Sequence, residues 1–335
     1  MNPALLLARV LREPGAIEGL AAADWNALWA VARAEQLAGT LAHRIAGLPM
    51  PRAAARLVED AIASAAQGRT AALWEAEMAR RALAGIEVPV VLLKGTAYAA
   101  AGLSPSTGRV IGDLDILVPR DAIEDVEAAL LAAGWEWVKP DPYDDAYYRR
   151  WMHELPPLIH RDRDKMIDVH HTILPLTARI RPDAAALLAD SVILENGLRM
   201  LSPPDMLCHA AAHLFADGDL AGGIRNLWDI HCLLSEFGFE GLAERAAHHG
   251  LGAAMRRAVR QAVRLYGTEV PAAWQGWEAL DPLFHRRLTA RDRWGRSTRK
   301  AVQLGFYARS HLLRMPPTML ARHLWTKWRK GHRPA

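Results

Sequence analysis

Ile111-Gly112-Asp113-Leu114-Asp115-Ile116-Leu117-Val118, closed by Pro119, is the stretch on which the reading of this chain turns. Side chains alternate across a strand, so Asp113 and Asp115 share one face while Leu114 and Ile116 point into a core. Two carboxylates side by side repel, and neither stays ionised cheaply without a cation between them. An isolated Asp-x-Asp is nonetheless common as a solvated strand end. A third acid alters the balance. Met166-Ile167-Asp168-Val169-His170 is another apolar strand interrupted by an acid, and His170 shares the face of Asp168 by the same two-residue rule. If the two strands are neighbours, three carboxylates converge into a hard-oxygen site suited to Mg²⁺ and phosphate oxygens.

Upstream, Val88, Pro89, Val90, Val91, Leu92 and Leu93 form a short β-branched run ending at Lys94-Gly95-Thr96. This predicts a buried strand, a glycine turn and a helix start. Backbone N–H groups, the Thr96 hydroxyl and the Lys94 ammonium could then meet a polyphosphate, with Gly95 permitting close backbone approach. Arg109 is a second cationic candidate for a bidentate grip on phosphate. A tight turn and a surface arginine are the plain alternatives.

Around this core the pattern is helical. Residues 22–84 are rich in Ala, Leu, Arg and Glu with apolar residues at helical spacing, and Pro51 fits the first turn of a long helix running toward Gly85. Residues 122–133 read as a helix capped by Asp121, with residues 135–138 as a short strand. A hairpin is expected with arms at residues 153–160 and 166–172, joined by Arg161-Asp162-Arg163-Asp164; Pro156 and Pro157 push its first arm to an edge or a bulge. Helical periodicity returns at residues 206–215, 220–237 and 242–265, punctuated by Gly238 and Gly250. The expected fold class is α+β: a small mixed sheet of about five strands in residues 87–200, between a helical segment at 1–86 and a helical domain with a basic tail at 201–335.

Composition sets the outer bounds. With 335 residues, 51% hydrophobic and 23% charged, the chain is an ordinary globular protein. No apolar run approaches the roughly 18–20 residues that span a bilayer. The N-terminus lacks the basic start and cleavage site of a secretory signal, and two cysteines cannot staple a fold of this size, so a cytoplasmic protein is expected. Residues 285–335 hold 14 basic residues against one acid, Asp292, leaving 27 bases and 36 acids in the first 284. Such a stretch can be a solvated basic helix, the favoured reading, or a dock for nucleic acid or an anionic membrane surface. His209 and His213 have a spacing that can ligate zinc, but the run His-Ala-Ala-Ala-His favours packed residues. Arg225 and Asp229 form an i, i+4 pair able to brace the cleft, with Asp229 placed to orient Arg109 or Lys94. Glu154 lies where the hairpin arm would approach an acceptor pocket, although a surface acid is the simpler reading.

Taken in order, Leu93-Lys94-Gly95, Arg109, Asp113-Leu-Asp115-Ile-Leu-Val118 and Ile167-Asp168-Val-His170 resemble the DNA-polymerase-beta-like nucleotidyltransferase superfamily. The nearest likeness is the largely uncharacterised bacterial nucleotidyltransferase family, and Ile224-Arg225-Asn-Leu-Trp-Asp229-Ile resembles its helical part. The likeness covers roughly residues 85–240. It implies that Asp113, Asp115 and Asp168 are catalytic and hold two Mg²⁺ ions, and that Lys94, Gly95, Thr96 and Arg109 bind the NTP, with ATP expected. His170, Arg225 and Asp229 stand behind them. The implied activity is transfer of an NMP group to an acceptor hydroxyl on a small molecule or protein, releasing pyrophosphate. Thr96 replaces the usual Gly or Ser, and the 18-residue step from Gly95 to Asp113 is long, with residues 101–108 as an insert that is either a disturbance to nucleotide binding or a loop over the site. The alternative is a non-catalytic nucleotide-binding or interaction protein of the same fold, docking through its basic C-terminal arm.

Overall fold

A computed structural model describes residues 1–138 and 141–331. Four helices come first: α1 (Pro3–Arg12), α2 (Ala22–Ala34), α3 (Ala38–Ile45) and the 31-residue α4 (Arg52–Ala82). Asn2 starts α1 by accepting hydrogen bonds from the Ala4 and Leu5 amides, with Pro3 in the first turn, where no N–H is needed. Pro51 stands one residue before α4, at its N-cap. Small residues Ala54, Ala65, Ala76 and Ala79 are buried along α4, which lets it lie close to its neighbours.

The central region then alternates: β1 (Val91–Leu92), α5 (Lys94–Ala100), β2 (Leu114–Leu117), α6 (Ile123–Ala132), β3 (Trp135–Trp137), α7 (Pro142–Trp151), β4 (Leu158–His160), β5 (Met166–His170), α8 (Ala184–Ala189), β6 (Val192–Ile193) and β7 (Arg199–Met200). The strands form one mixed sheet in the order β3-β4-β5-β2-β1-β7-β6, seven rather than about five. The two additional strands have two residues each, too short to show a periodicity. β2 and β5 are parallel neighbours at the centre, in the register Asp115 to Asp168 and Leu117 to His170. The hairpin of β4 and β5 forms as expected, turning through Asp164, which has φ 53°. Because β3 covers the other side of β4, the two prolines make the bulge rather than the edge: between the pair Leu158–Ile167 and the bridge Glu154–His170 the first arm carries one residue more than the second.

Two local expectations are corrected. Asp121 does not cap α6: it lies inside a 3₁₀ turn (Arg120–Ala122), and α6 begins without a side-chain cap. Asp113 precedes β2 instead of lying within it, so only Asp115 belongs to the strand proper.

The chain ends in helices: α9 (Pro203–Ala211) running into a π-helical turn (Ala212–Asp217), then α10 (Gly223–Phe237), α11 (Leu242–His248), α12 (Gly252–Tyr266), α13 (Asp281–Leu288), α14 (Lys300–Arg314) and α15 (Pro317–Gly331). Gly250 breaks the periodic run at residues 242–265 into two helices, since its φ of +69° cannot continue one. Among the described residues no helix is long and apolar enough to cross a membrane. The basic C-terminal stretch is not simply solvated: Arg287, Arg291, Arg293 and Arg314 pair with Asp219, Glu35, Asp24 and Asp217. Part of its positive charge thus answers acids elsewhere in the chain. Residues 332–335 of that arm lie outside the described residues.

Packing of α10 on α12 sets a pH dependence. His231 packs against Trp228 and Tyr266, and Nδ1 lies 2.8 Å from Thr268 Oγ1. Burial first, and Arg44 second, lower its pKa to about 4. Between that value and an unfolded pKa of about 6.5 the unfolded chain binds a proton that the folded chain refuses. Stability from this group is therefore fully present above pH 6.5 and is lost as pH falls towards 4. His231→Phe keeps the aromatic packing and is expected to remove about one proton from the pH dependence of the thermal midpoint, read by circular dichroism across that window; an unchanged slope would contradict it.

Candidate active site

The site sits where β1, β2 and β5 end beside α5 and α10. Asp113, Asp115 and Asp168 each offer a carboxylate oxygen, and the three oxygens lie within 4.8 Å of one another. Asp113 is exposed, Asp168 half-buried and Asp115 buried at 2% exposure. Parallel pairing of β2 with β5 places Asp115 opposite Asp168, and the approach to β2 adds Asp113.

Lys94 and His170 steady Asp115. Its Oδ1 accepts a hydrogen bond from Lys94 Nζ at 2.6 Å and lies 3.0 Å from His170 Nε2. Burial alone would raise its pKa, but Lys94 and His170 outweigh burial and hold it well below the usual carboxylate range. Lys94 shows the reciprocal effect: burial opposes its charge, yet Asp115 raises its pKa. Asp168 has no such partner. Burial, then the negative charges of Asp115 and Glu154, raise it to about 7. One carboxylate is thus held ionised and its neighbour is poised near neutrality. Three converging carboxylate oxygens fit a hard divalent cation.

Lys94 is the first residue of α5 and has φ 49°, a left-handed backbone that costs a non-glycine residue about 1 kcal/mol or more. That conformation aims the ammonium at Asp115 instead of along the helix. Gly95 and Thr96 are both buried. A Cβ on Gly95 would stand 2.5 Å from Arg109 Nε, so the close approach that needs a glycine is made by the Arg109 side chain. The Arg109 guanidinium is ion-paired to Asp229 of α10, and the guanidinium carbon lies 5.5 Å from the centre of the Tyr98 ring. Asp229 thus braces Arg109 beside the turn at Gly95.

The brace continues. Arg225 Nε lies 3.2 Å from Asp229 Oδ1, and the same guanidinium donates to Thr40 Oγ1 at 2.7 Å and to the Pro105 carbonyl at 3.0 Å. Through these contacts α10 ties α3 and the loop before Arg109 to the sheet. The insert at residues 101–108 is held within this framework. Arg69 donates to Ser106 Oγ and to the Ala99 carbonyl, Ser104 bonds Glu236, and Gly108 lies against Gly39 so closely that neither tolerates a Cβ. It is a fixed buttress, not a loop over the site.

Two groups behind the acids were less visible in sequence. Glu154, two residues before the prolines, has its Oε2 3.4 Å from His170 Nδ1, and burial raises its pKa. His153 stacks obliquely near His170, with ring centres 5.3 Å apart, and burial holds its pKa well below 6.5. The hairpin reading brings Glu154 near the site, but nothing in the sequence marks His153; the return of the chain beside β5 places both. His209 and His213 sit on α9 and its π-helical continuation, and burial first, then Lys94, drives His209 toward neutrality. His209 is buried at 5% exposure, as expected for a packed residue, whereas His213 is exposed and corrects that expectation.

No curated protein matches the chain. A family model covers residues 21–267, a span that takes in α3, both acidic strands and the α10 brace, and the chain accordingly belongs to the family described as uncharacterised nucleotidyltransferase.

Proposed function

We propose that the protein moves an NMP group from an NTP to an acceptor hydroxyl, with release of pyrophosphate, at the cluster of Asp113, Asp115 and Asp168. The observation that supports this most strongly is the convergence of these carboxylates with one of them, Asp168, raised to about 7. In this reading the three aspartates hold divalent metal, Mg²⁺ by their oxygen-only chemistry. Bound there, such ions polarise the α-phosphate and lower the pKa of the acceptor hydroxyl.

The chain's own groups do the rest. The acceptor oxygen bonds to the α-phosphorus as the bond from that phosphorus to the bridging oxygen of the β-phosphate breaks, and both electrons leave with pyrophosphate. An Asp168 carboxylate oxygen receives the hydroxyl proton. Lys94 Nζ, beside Asp115, stabilises phosphate charge. Arg109, held by Asp229 and lying over Gly95, fixes the segment that leads to Asp113.

Nucleotide binding tests this without knowledge of the acceptor. The full chain, titrated with a non-hydrolysable ATP analogue in a calorimeter, is expected to bind it in Mg²⁺ and to lose binding when the metal is chelated. Failure to bind analogues of all four NTPs in Mg²⁺ would overturn the proposal.

A further inference from the structure

A second group of metal-ligating side chains lies next to the three aspartates and takes no part in the reaction just described. His153, Glu154 and His170 each present one ligating atom, and these atoms lie within 4.8 Å of one another. We infer that they form a separate site for a divalent ion of borderline softness such as Zn²⁺, with a two-histidine, one-carboxylate ligand set.

The distances fit. Glu154 Oε2 lies 3.6 Å from His153 Nε2 and 3.4 Å from His170 Nδ1. Ligands around a tetrahedral ion with bonds of about 2.0–2.1 Å stand roughly 3.3 Å apart, so small shifts bring these atoms onto one ion. The protonation pattern fits too. His170 is 3% exposed, and its Nδ1 is buried without a hydrogen-bond partner. Its Nε2 faces the Asp115 carboxylate at 3.0 Å, which places the ring proton there and leaves the Nδ1 lone pair pointing at Glu154. A metal-bound histidine that donates its other N–H to a carboxylate is the usual arrangement around such ions, because the carboxylate sets the tautomer and the ring angle.

The ligand types set this site apart from its neighbour. Imidazole nitrogens favour zinc and later transition metals, whereas three carboxylates favour Mg²⁺. Three protein ligands also leave a coordination position open, as in zinc sites that bind water or substrate. Through His170, occupancy of this site would fix the orientation of Asp115.

Metal titration of the full chain decides the matter. After chelator treatment and dialysis, the protein is titrated with Zn²⁺ in excess Mg²⁺ and its metal content measured, with Co²⁺ as a visible-absorption probe of nitrogen ligation. One Zn²⁺ per chain is expected, retained in Asp113→Ala. Affinity should fall by more than about 100-fold in His153→Ala and in Glu154→Gln, beyond the 10–100-fold typical of altered outer partners. Glu154→Gln preserves shape and keeps the test valid if His153→Ala fails to fold. Absence of stoichiometric Zn²⁺, or its loss in Asp113→Ala with retention in the His153 and Glu154 variants, would overturn the inference. Neither outcome bears on nucleotide binding, which is measured separately in Mg²⁺.

Discussion

Asp113→Ala is expected to lower Mg²⁺-dependent pyrophosphate release by about 10²–10³-fold, the loss typical when one preorganised charge-stabilising group is removed. It should leave the unfolding midpoint where it is, because Asp113 is exposed and lies before β2. Asp115→Ala makes the informative contrast. Its activity loss should be at least as large, but here stability falls as well. The carboxylate is buried, and its removal strands Lys94 and His170 without the anion both face. Breaking a fully buried pair costs about 3–5 kcal/mol, and because the Lys94 side chain keeps 29% exposure the cost here should lie at or below the lower end. Labelled pyrophosphate release and urea denaturation on both variants separate the two effects. Full activity in Asp113→Ala would remove that residue from the reaction, and an undiminished stability in Asp115→Ala would show that the Lys94 pair is screened.

The difference between these two aspartates is what sequence could not supply. Alternation in residues 111–118 was enough to place both acids on one face, and the same rule applied to residues 166–170 brought Asp168 and His170 into view. It could not tell that the ladder begins only at Leu114, because strand ends depend on which partner is present to bond. Helix α7 escaped for a related reason. Its sequence, Pro-Tyr-Asp-Asp-Ala-Tyr-Tyr-Arg-Arg-Trp, is mostly polar or aromatic and buries no residue; it is started by Asp141, which accepts from two backbone amides, and is supported by polar pairs such as Arg149 with Glu127. The helices α9 to α12 were legible because their apolar faces are continuous. What remained invisible were contacts that join distant parts of the chain. Arg225 reads as the partner of Asp229 four residues on, and nothing near it in sequence marks the Thr40 hydroxyl it also meets on α3. Glu35, on the far side of the sequence from Arg291, is a similar case: the basic tail looked unpartnered until folding brought the acid to it.

Asp229→Ala is expected to be the most destabilising single change in the site, costing about 3–5 kcal/mol in urea denaturation. Asp229 is 3% exposed and faces two guanidinium groups, Arg109 and Arg225, whose side chains keep only 13% and 5% exposure. Removing the carboxylate leaves both cations with little access to water. Arg225 retains Thr40 Oγ1 and the Pro105 carbonyl, neutral acceptors that meet its hydrogen bonds without balancing its charge. Burial already lowers the Arg225 pKa to about 10 in spite of Asp229, which shows how little solvent compensation is at hand. Replacing Arg109 at the same time should restore part of the loss, since taking out both members of a buried pair is gentler than orphaning one. The double variant Arg109→Met with Asp229→Ala is therefore expected to be more stable than Asp229→Ala alone. It should remain impaired in transfer, because Arg109 covers Gly95 and anchors the segment entering the acidic strand. A cost below about 1 kcal/mol for Asp229→Ala, the range of an exposed ion pair, would mean that water reaches the brace and that α10 is held to the sheet by apolar packing instead.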